Sequence, residues 1–180
     1  SSEARWVGTL AGLRPVKNLP RLVRAFAGLP AEWELVICGE GPERDAIRQV
    51  AKEAGVAGRV HLPGNVSDPA KVVGLFDIFA LSSDSEQFPI SVVEAMAAGL
   101  PVVAPRVGDI EPMLAKPNRP YLADFANDPA LAVRLKDFAE NPQLRADVGR
   151  ANRDKAQQAY GETTMVEAYR KLYWAALGGA

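Results

Sequence analysis

The sequence predicts an α/β fold, in which a parallel sheet of about six strands carries helices on both faces. Short apolar runs alternate with segments of helical period along most of the chain, a pattern typical of strands joined by crossover helices. Turn residues and charges follow the apolar runs, so polar loops are expected where strands end. The 180 residues suit one domain spanning 1–180, and the part from residue 128 onward is predicted to be helical.

Composition narrows the functional classes. The chain is 48% apolar and 24% charged, which is ordinary for a globular domain. Its net charge of −1 gives no basic field, so we expect no nucleic acid as a partner. Cys38 is the single cysteine, which excludes an internal disulfide and fits a reducing compartment. We therefore expect a cytoplasmic protein.

The first strand, helix and intervening loop are predicted at the N-terminal end. Residues 5–11 form a short apolar strand, and residues 19–29 have a helical period with Asn18 as a plausible N-cap. Arg21 and Arg24 lie opposite the apolar face and are expected to be solvated. Lys17 stands just before the helix, where an anion would be favoured. A surface lysine in a turn is an equally good interpretation from the residue alone.

The second and third strands are predicted at 34–38 and 59–62. Gly39 and Gly41 lie in the turn between the second strand and a helix at 43–54, where glycines allow close approach of the backbone. No third glycine completes a dinucleotide-binding fingerprint, so a plain tight turn explains them as well. A short helical turn follows from Asp68 to about residue 76. His61, the single histidine, is predicted to be structural.

The fourth and fifth strands enclose the most informative segment. An apolar strand at 77–81 is followed by a polar loop, a short helix at 90–98 and another strand at 100–104. Pro89 suits the first turn of that helix because it lacks an N–H and has a fixed φ. The helix is apolar on nearly every side, and Glu94 is its one charged residue. Glu94 therefore either faces outward or meets a polar group.

Glu86 and Glu94 lie eight residues apart, on the loop and on the helix. They flank the first N–H groups of the helix, those of Ile90, Ser91 and Val92, which can bind an anion. An acid favoured by the helix dipole explains Glu94 taken alone. The spacing of the two carboxylates instead predicts a ligand with hydroxyls on both sides of a phosphate.

The C-terminal part is predicted to contain a sixth short strand at 121–122 and three helices at 128–140, 142–159 and 163–177. Val166, Tyr169, Tyr173 and Trp174 form a stripe along one side of the last helix. Such a stripe is more often core than a binding surface.

The candidate ligand groups all follow strands. Lys17 follows the first strand, Gly39 and Gly41 the second, Asn65 the third, and Glu86 to Glu94 the fourth. Because the carboxyl ends of parallel strands share one edge of a sheet, we expect these groups to lie on a single rim.

Four segments of the chain resemble a known family: 8–18, the turn at 39–42, residues 62–65, and 85–103 with its two glutamates. The chain is similar to the C-terminal, donor-binding domain of the retaining glycosyltransferases of family GT4, the glycosyl transferases group 1. The resemblance implies a Rossmann-like domain that is one half of a GT-B fold. It also implies that the donor is a nucleoside-diphosphate sugar of the UDP, GDP or ADP type.

The resemblance assigns roles to individual residues. Glu86 would contact hydroxyls of the donor sugar, Glu94 would hold the nucleotide ribose, and Lys17 would neutralise the diphosphate. Asn65 and Val66 would lie by the base. The backbone N–H groups of Phe88, Ile90 and Ser91 would face the diphosphate. The full set of residues expected at the site is Gly12, Arg14, Lys17, Gly39, Gly41, Asn65, Val66, Glu86, Gln87, Phe88, Pro89, Ile90, Ser91 and Glu94.

Two positions depart from the family pattern. The family has an arginine five residues before the lysine, and the aligned residue here is Gly12. Arg14 is two residues further on and is the candidate replacement. Gln87 stands where a glycine is common. The leaving diphosphate would be stabilised by Lys17, Arg14 and the helix N-terminus, so neither a metal nor another cofactor is expected.

The resemblance also implies partners. The family has an N-terminal acceptor-binding domain, which is expected to be absent from this chain, so the isolated chain should bind a nucleotide weakly and transfer nothing. The full-length enzyme would be a hexosyltransferase-type protein, cytoplasmic or peripheral at the inner face of the membrane. Two alternatives stay open: a non-catalytic nucleotide-binding module of the same fold, and half of a nucleotide-sugar epimerase.

Overall fold

A computed structural model describes residues 4–125 and 127–176. The five strands of its sheet are β1 (Arg5–Leu10), β2 (Trp33–Cys38), β3 (Val60–Gly64), β4 (Ile78–Ala80) and β5 (Val102–Val103). The helices are α1 (Leu19–Phe26), α2 (Arg44–Glu53), α3 (Pro69–Val73), α4 (Ile90–Ala97), α5 (Ile110–Met113), α6 (Asp128–Glu140), α7 (Pro142–Ala159) and α8 (Glu162–Ala176). The predicted α/β class, with helices on both faces and a helical C-terminus, is confirmed.

The sheet is parallel, with the strand order β3-β2-β1-β4-β5. The chain runs outward from β1 to β3 and then returns to the other side of β1. The carboxyl ends of β1 and β4 therefore flank a point where the strand order reverses. In open α/β sheets, the crevice at such a point is where ligands bind.

Two apolar clusters cover the two faces of the sheet. Helices α1, α2 and α6 pack on one face, and α3, α4 and α5 pack on the other. Helix α7 contributes Val148 to the first cluster and Ala156 to the second, so it passes around the β5 edge. This packing explains why α4 is apolar nearly all round: it lies between the sheet and α7.

The predicted sixth strand at 121–122 is reduced to a single parallel bridge between Pro105 and Ala123. A 3₁₀ helix, Lys116–Tyr121, occupies the chain just before it. Pro117 and Pro120 lack the N–H groups that a strand would donate to its neighbour, which opposes pairing here. The side chain of Asn118 takes the place of a strand instead: it accepts from the N–H of Val102 and donates to the carbonyl of the same residue.

The aromatic stripe on α8 is also placed differently from the prediction. Tyr169, Tyr173 and Trp174 are 58%, 67% and 68% exposed, and Val166 is 38% exposed. These residues do not belong to the core of the domain. Helical spacing identified the stripe but could not show whether another element packs on it.

Candidate functional site

The loop after β1 is tied to the loop after β4 at the point where the strand order reverses. The Asp84 N–H donates to the carbonyl of Val16 at 2.9 Å, and the hydroxyl of Ser82 donates to the carbonyl of Lys17 at 2.9 Å. Both bonds join the segment that carries Lys17 to the segment that leads into Glu86. The two predicted site residues are thereby brought together although 69 positions separate them.

Asp84 extends this connection through its side chain. Asn18 occupies the predicted N-cap position of α1, but it has a left-handed backbone and its side chain makes no capping hydrogen bond; its amide donates to Asp84 at 3.3 Å instead. Arg21 was expected to be solvated, but its side chain is 13% exposed and its Nη1 lies 2.8 Å from Asp84 Oδ1. Both side chains hold the two loops together rather than serving α1 alone. Arg24 is exposed, as predicted.

Lys17 and Glu86 form an ion pair in which Nζ and Oε1 are 2.6 Å apart. The Glu86 side chain is 7% exposed and that of Lys17 is 25% exposed, so the pair is largely withdrawn from water. The hydroxyl of Ser83, a buried residue, donates to the same Oε1 at 2.6 Å. Sequence reasoning missed Ser83, because one hydroxyl in a polar loop gives no signal of its own.

Gly108 supports the backbone of Glu86 from the other side. It follows β5 and has a positive φ of 52°. A Cβ on Gly108 would lie 1.7 Å from the Glu86 carbonyl oxygen, and the next N–H, that of Asp109, donates to the Gln87 carbonyl. Sequence reasoning missed Gly108, although a glycine shortly after a predicted strand is a turn signal.

We expect Gly108→Ala to move the loop that carries Glu86. The left-handed backbone disfavours alanine by about 1–2 kcal/mol, and the overlap with the Glu86 carbonyl adds to this cost. The free energy of unfolding, measured in urea, should fall by about 2–3 kcal/mol. Gly28→Ala is a matched control, since no atom lies within 4 Å of the added methyl group. Equal stability of the two variants would contradict the close contact.

The N-terminus of α4 presents backbone N–H groups beside this loop. Pro89 precedes the helix in an extended conformation. The prediction of three free N–H groups was wrong at Val92, whose N–H donates to the Pro89 carbonyl at 3.0 Å. The N–H groups of Ile90 and Ser91 have no backbone acceptor among the described residues. The positive end of the α4 helix dipole thus faces the crevice.

The side chains around this helix start differ in burial. Gln87 is exposed, Ile90 is 71% exposed, and Phe88 is 50% exposed. The Phe88 ring packs edge-on against Tyr160, the C-cap residue of α7, with a centroid distance of 5.6 Å. Helix α7 therefore steadies the loop that connects Glu86 to α4.

A cavity of about 330 Å³ lies over the ends of β1, β2 and β3 and the start of α4. Many of the residues predicted from four different strand ends line it together. Its lining includes Gly12, Gly39, Asn65, Val66, Ile90, Ser91 and Glu94. The expected convergence on one rim is therefore observed for these residues.

Glu94 lies in the wall of this cavity and is half-buried. Burial raises the pKa of its carboxyl above the ordinary value, because the ionised form loses solvation. Within the described part of the chain, its carboxylate makes neither a hydrogen bond nor an ion pair. An apolar helix thus presents one carboxylate, free to accept hydrogen bonds, to the cavity.

Gly39 and Gly41 shape the cavity through the chain's own backbone. Their φ angles are 148° and 155°, and a Cβ would lie 1.9 Å from the Ala11 carbonyl or 2.5 Å from that of Leu13. Both glycines let the loop after β1 pack against the loop after β2. Gly39 lines the cavity, whereas Gly41 lies outside its lining.

Arg14 also lies outside the cavity lining, at its edge. A Cβ on Gly12 would lie 3.7 Å from Arg14 Nε, so the Arg14 side chain passes over the space that a side chain at position 12 would enter. Arg14 is exposed, and its guanidinium makes no hydrogen bond or ion pair within the part of the chain that the structure describes.

A larger groove of about 500 Å³ adjoins the site and shares Cys38 and Val66 with it. Its lining is mainly apolar and includes Trp6 and Val36. Of the residues predicted for the site, only Val66 lines this groove, whereas seven of them line the smaller cavity, so the larger volume does not make the groove the site. His61 lies at its rim and pairs with Glu34, which agrees with a structural histidine.

Within residues 4–125 and 127–176, no three His, Cys, Asp or Glu side chains are grouped so that they could hold a metal ion. In that same range, none of the helices combines the length and the apolar character needed to cross a bilayer.

Comparison with known proteins agrees with this arrangement. The sequence model of the family "Glycosyl transferases group 1" matches residues 2–155. The chain is 26% identical over 167 residues to the N-acetyl-alpha-D-glucosaminyl L-malate synthase of Bacillus anthracis, covering 92% of this chain and 44% of that protein. It is 30% identical over 154 residues to the D-inositol 3-phosphate glycosyltransferase of Corynebacterium glutamicum, covering 79% and 37%. The chain thus spans less than half the length of these curated relatives.

A solved structure shares the fold. The structure of HepE from Anabaena in complex with UDP superposes with a TM-score of 0.89 at 23% identity, covering 97% of this chain and 50% of that chain. The same protein has also been solved with UDP-glucose, and that structure has a TM-score of 0.88. With the family model matching most of its length, the chain belongs to the glycosyl transferases group 1.

Proposed function

We propose that this chain is the donor-binding half of a glycosyltransferase that takes a nucleoside-diphosphate sugar. The observation that carries the proposal is the crevice between the ends of β1 and β4. There, Lys17 is paired with the buried carboxylate of Glu86. Further along the same segment, the free N–H groups at the start of α4 line a cavity together with Glu94. Lys17 and Glu86 themselves lie outside the lining of that cavity. A relative named as a D-inositol 3-phosphate glycosyltransferase and a fold shared with a protein solved in complex with UDP-glucose support the same conclusion.

The nucleotide would occupy the cavity of 330 Å³. Glu94 would accept hydrogen bonds from the two ribose hydroxyls, since a carboxylate without a partner in a half-buried wall suits a diol. The base would lie against Asn65 and Val66. The diphosphate would then face the N–H groups of Phe88, Ile90 and Ser91 at the start of α4.

The sugar would lie toward Glu86, whose carboxylate would orient its hydroxyls. Transfer breaks the bond between the anomeric carbon and the diphosphate oxygen, which leaves negative charge on the departing diphosphate. Lys17 and the α4 N-terminus would stabilise that charge without a metal. We propose that transfer retains the anomeric configuration and that the donor is a hexose derivative.

Arg14 would be the second cation of the site. Its guanidinium passes over Gly12 at the cavity edge and is exposed, so it can reach toward a diphosphate that Lys17 also contacts. An arginine can hold phosphate oxygens through two parallel hydrogen bonds. The full enzyme would place an acceptor-binding domain across the crevice, and the isolated chain would bind its donor but transfer nothing.

The proposal predicts selective binding of one nucleotide class. Calorimetric titration with UDP, GDP, ADP and the glucose ester of each should show binding for one base, and the sugar ester should compete with its own diphosphate. Magnesium chelation should leave the affinity unchanged, because the cations of the site are side chains.

The proposal would be contradicted if none of the six compounds bound. In that case the glycine at position 12, where the family has an arginine, would favour the alternative, a non-catalytic module of the same fold. An epimerase is disfavoured, because His61, the single histidine, is paired with Glu34 away from the cavity.

A further inference from the structure

The ion pair between Lys17 and Glu86 joins two groups that the proposed function assigns to different parts of the donor. Lys17 is to contact the diphosphate and Glu86 the sugar, yet in the free protein their charged atoms are 2.6 Å apart. Ser83 donates to the same carboxylate oxygen, Oε1, at 2.6 Å. Both donors therefore converge on Oε1, and Oε2 accepts from no side chain in the described ranges.

A diphosphate must compete with Glu86 for Lys17. A carboxylate that is 7% exposed loses much of its hydration, so separation from its cation is costly unless another donor replaces it. Ser83 alone remains when Lys17 turns to a phosphate. A nucleotide sugar brings hydroxyls that can donate to Glu86 as Lys17 leaves. A nucleoside diphosphate without a sugar brings none.

We propose that the Lys17–Glu86 ion pair makes this site select the nucleotide sugar over the nucleoside diphosphate that remains after transfer. This inference rests on the proposed function. The ion pair couples binding of the diphosphate to binding of the sugar. A diphosphate that takes Lys17 leaves Glu86 without its cation, and a sugar that donates to Glu86 frees Lys17 for the diphosphate. Such coupling is reciprocal. The ion pair that favours the intact nucleotide sugar therefore also weakens binding of the nucleoside diphosphate that is left after transfer.

The test is a comparison of two affinities in Glu86→Gln. Glutamine keeps the size of the side chain and an acceptor for Ser83 but releases Lys17. The affinity for UDP should rise about three- to tenfold, and the advantage of UDP-glucose over UDP should fall by about tenfold or more. If the unsubstituted chain binds another base, GDP and GDP-glucose or ADP and ADP-glucose replace UDP and UDP-glucose in this comparison. Glu53→Gln, an exposed change of the same kind on α2, is the matched control and should alter neither affinity.

A second variant separates the ion pair from a general effect of charge. Removal of a negative charge near a diphosphate raises its affinity even without competition for Lys17. In a Lys17→Gln background, Glu86→Gln should therefore give no more than a small residual gain in UDP affinity, whereas with Lys17 present the gain is large. Far-UV circular dichroism and urea unfolding show whether each variant is folded before it is titrated.

Three outcomes decide the inference. An unchanged or lower UDP affinity in folded Glu86→Gln would overturn it while leaving the proposed function intact, because Glu86 would then only contact the sugar. An equal gain in both backgrounds would overturn it as well. Absence of binding by every compound of the panel to the unsubstituted chain would instead contradict the proposed function, and the inference with it.

Discussion

Replacement of Asn118 by alanine is expected to lower the free energy of unfolding by about 4 kcal/mol. Asn118 is fully buried beside β5. Its Oδ1 accepts from the Val102 N–H at 2.9 Å and from Asn152 Nδ2 at 2.7 Å, and its Nδ2 donates to the Val102 carbonyl at 2.7 Å. The loss should be visible as a lower midpoint of urea unfolding.

The size of this loss follows from what the variant leaves behind. Alanine removes one amide but strands three partner groups in the interior, and each buried group without a partner costs about 1–3 kcal/mol. A domain of this size is stable by only about 5–15 kcal/mol, so the change takes a large share of the total. Asn118 matters because it ends the sheet: it pairs with β5 where a sixth strand would otherwise lie.

Gln158→Ala is the control for this prediction. It also converts an amide to alanine, but on the exposed surface of α7. Its unfolding midpoint should match that of the unsubstituted chain. A loss below about 1 kcal/mol for Asn118→Ala would show that water enters and replaces the lost partners. In that case the edge of β5 would be less closed than its hydrogen bonds indicate.

The sequence predicted the helices best where polar caps mark their starts. The bounds of α6 and α7 agree with the prediction, because Asn127 and Asn141 each accept from an N–H of the first turn and a proline follows each. The start of α1 resembles these caps in sequence. There the amide of Asn18 donates to Asp84, which is 66 positions away, and no local sequence pattern indicates that contact.

The sequence could predict that the candidate site residues share one edge of the sheet, because parallel topology alone determines that. Lys17, Gly39, Asn65 and Glu94 all follow or lie beyond strand ends, so any parallel sheet in this order brings them toward one edge. The support beneath them was not predictable. Ser83 and the backbone contact of Gly108 act on Glu86 through tertiary packing, for which a hydroxyl and a loop glycine give no periodic signal.

Glu94→Gln is expected to weaken binding of the nucleotide sugar by about 10- to 100-fold. A hydrogen bond to a charged acceptor contributes about 1.5–3 kcal/mol, and the amide of glutamine offers one neutral acceptor in place of two charged oxygens. The fold should be retained, because the carboxylate has no side-chain partner within the described residues. Calorimetry with whichever of UDP-, GDP- or ADP-glucose the unsubstituted chain binds measures the affinity, and urea unfolding measures the stability.

The pH dependence of binding separates this role from a merely structural one. Burial raises the pKa of Glu94, so its carboxylate takes up a proton at a higher pH than an ordinary glutamate does. Protonation converts one acceptor into a donor, and the affinity for the nucleotide sugar should therefore fall as the pH is lowered toward the raised pKa. The diphosphate of a nucleotide sugar has no protonation step in that range, so the fall would report on the protein.

In Glu94→Gln the same fall should be absent or much smaller, because glutamine does not titrate. The unfolded chain holds this glutamate at its ordinary pKa, and the folded protein therefore binds the proton more tightly. Protonation of Glu94 thus favours the folded state, so a general loss of structure at this residue cannot account for weaker binding at low pH. An equal pH dependence in both proteins would assign the titration to another group and would remove Glu94 from the proposed ribose contact.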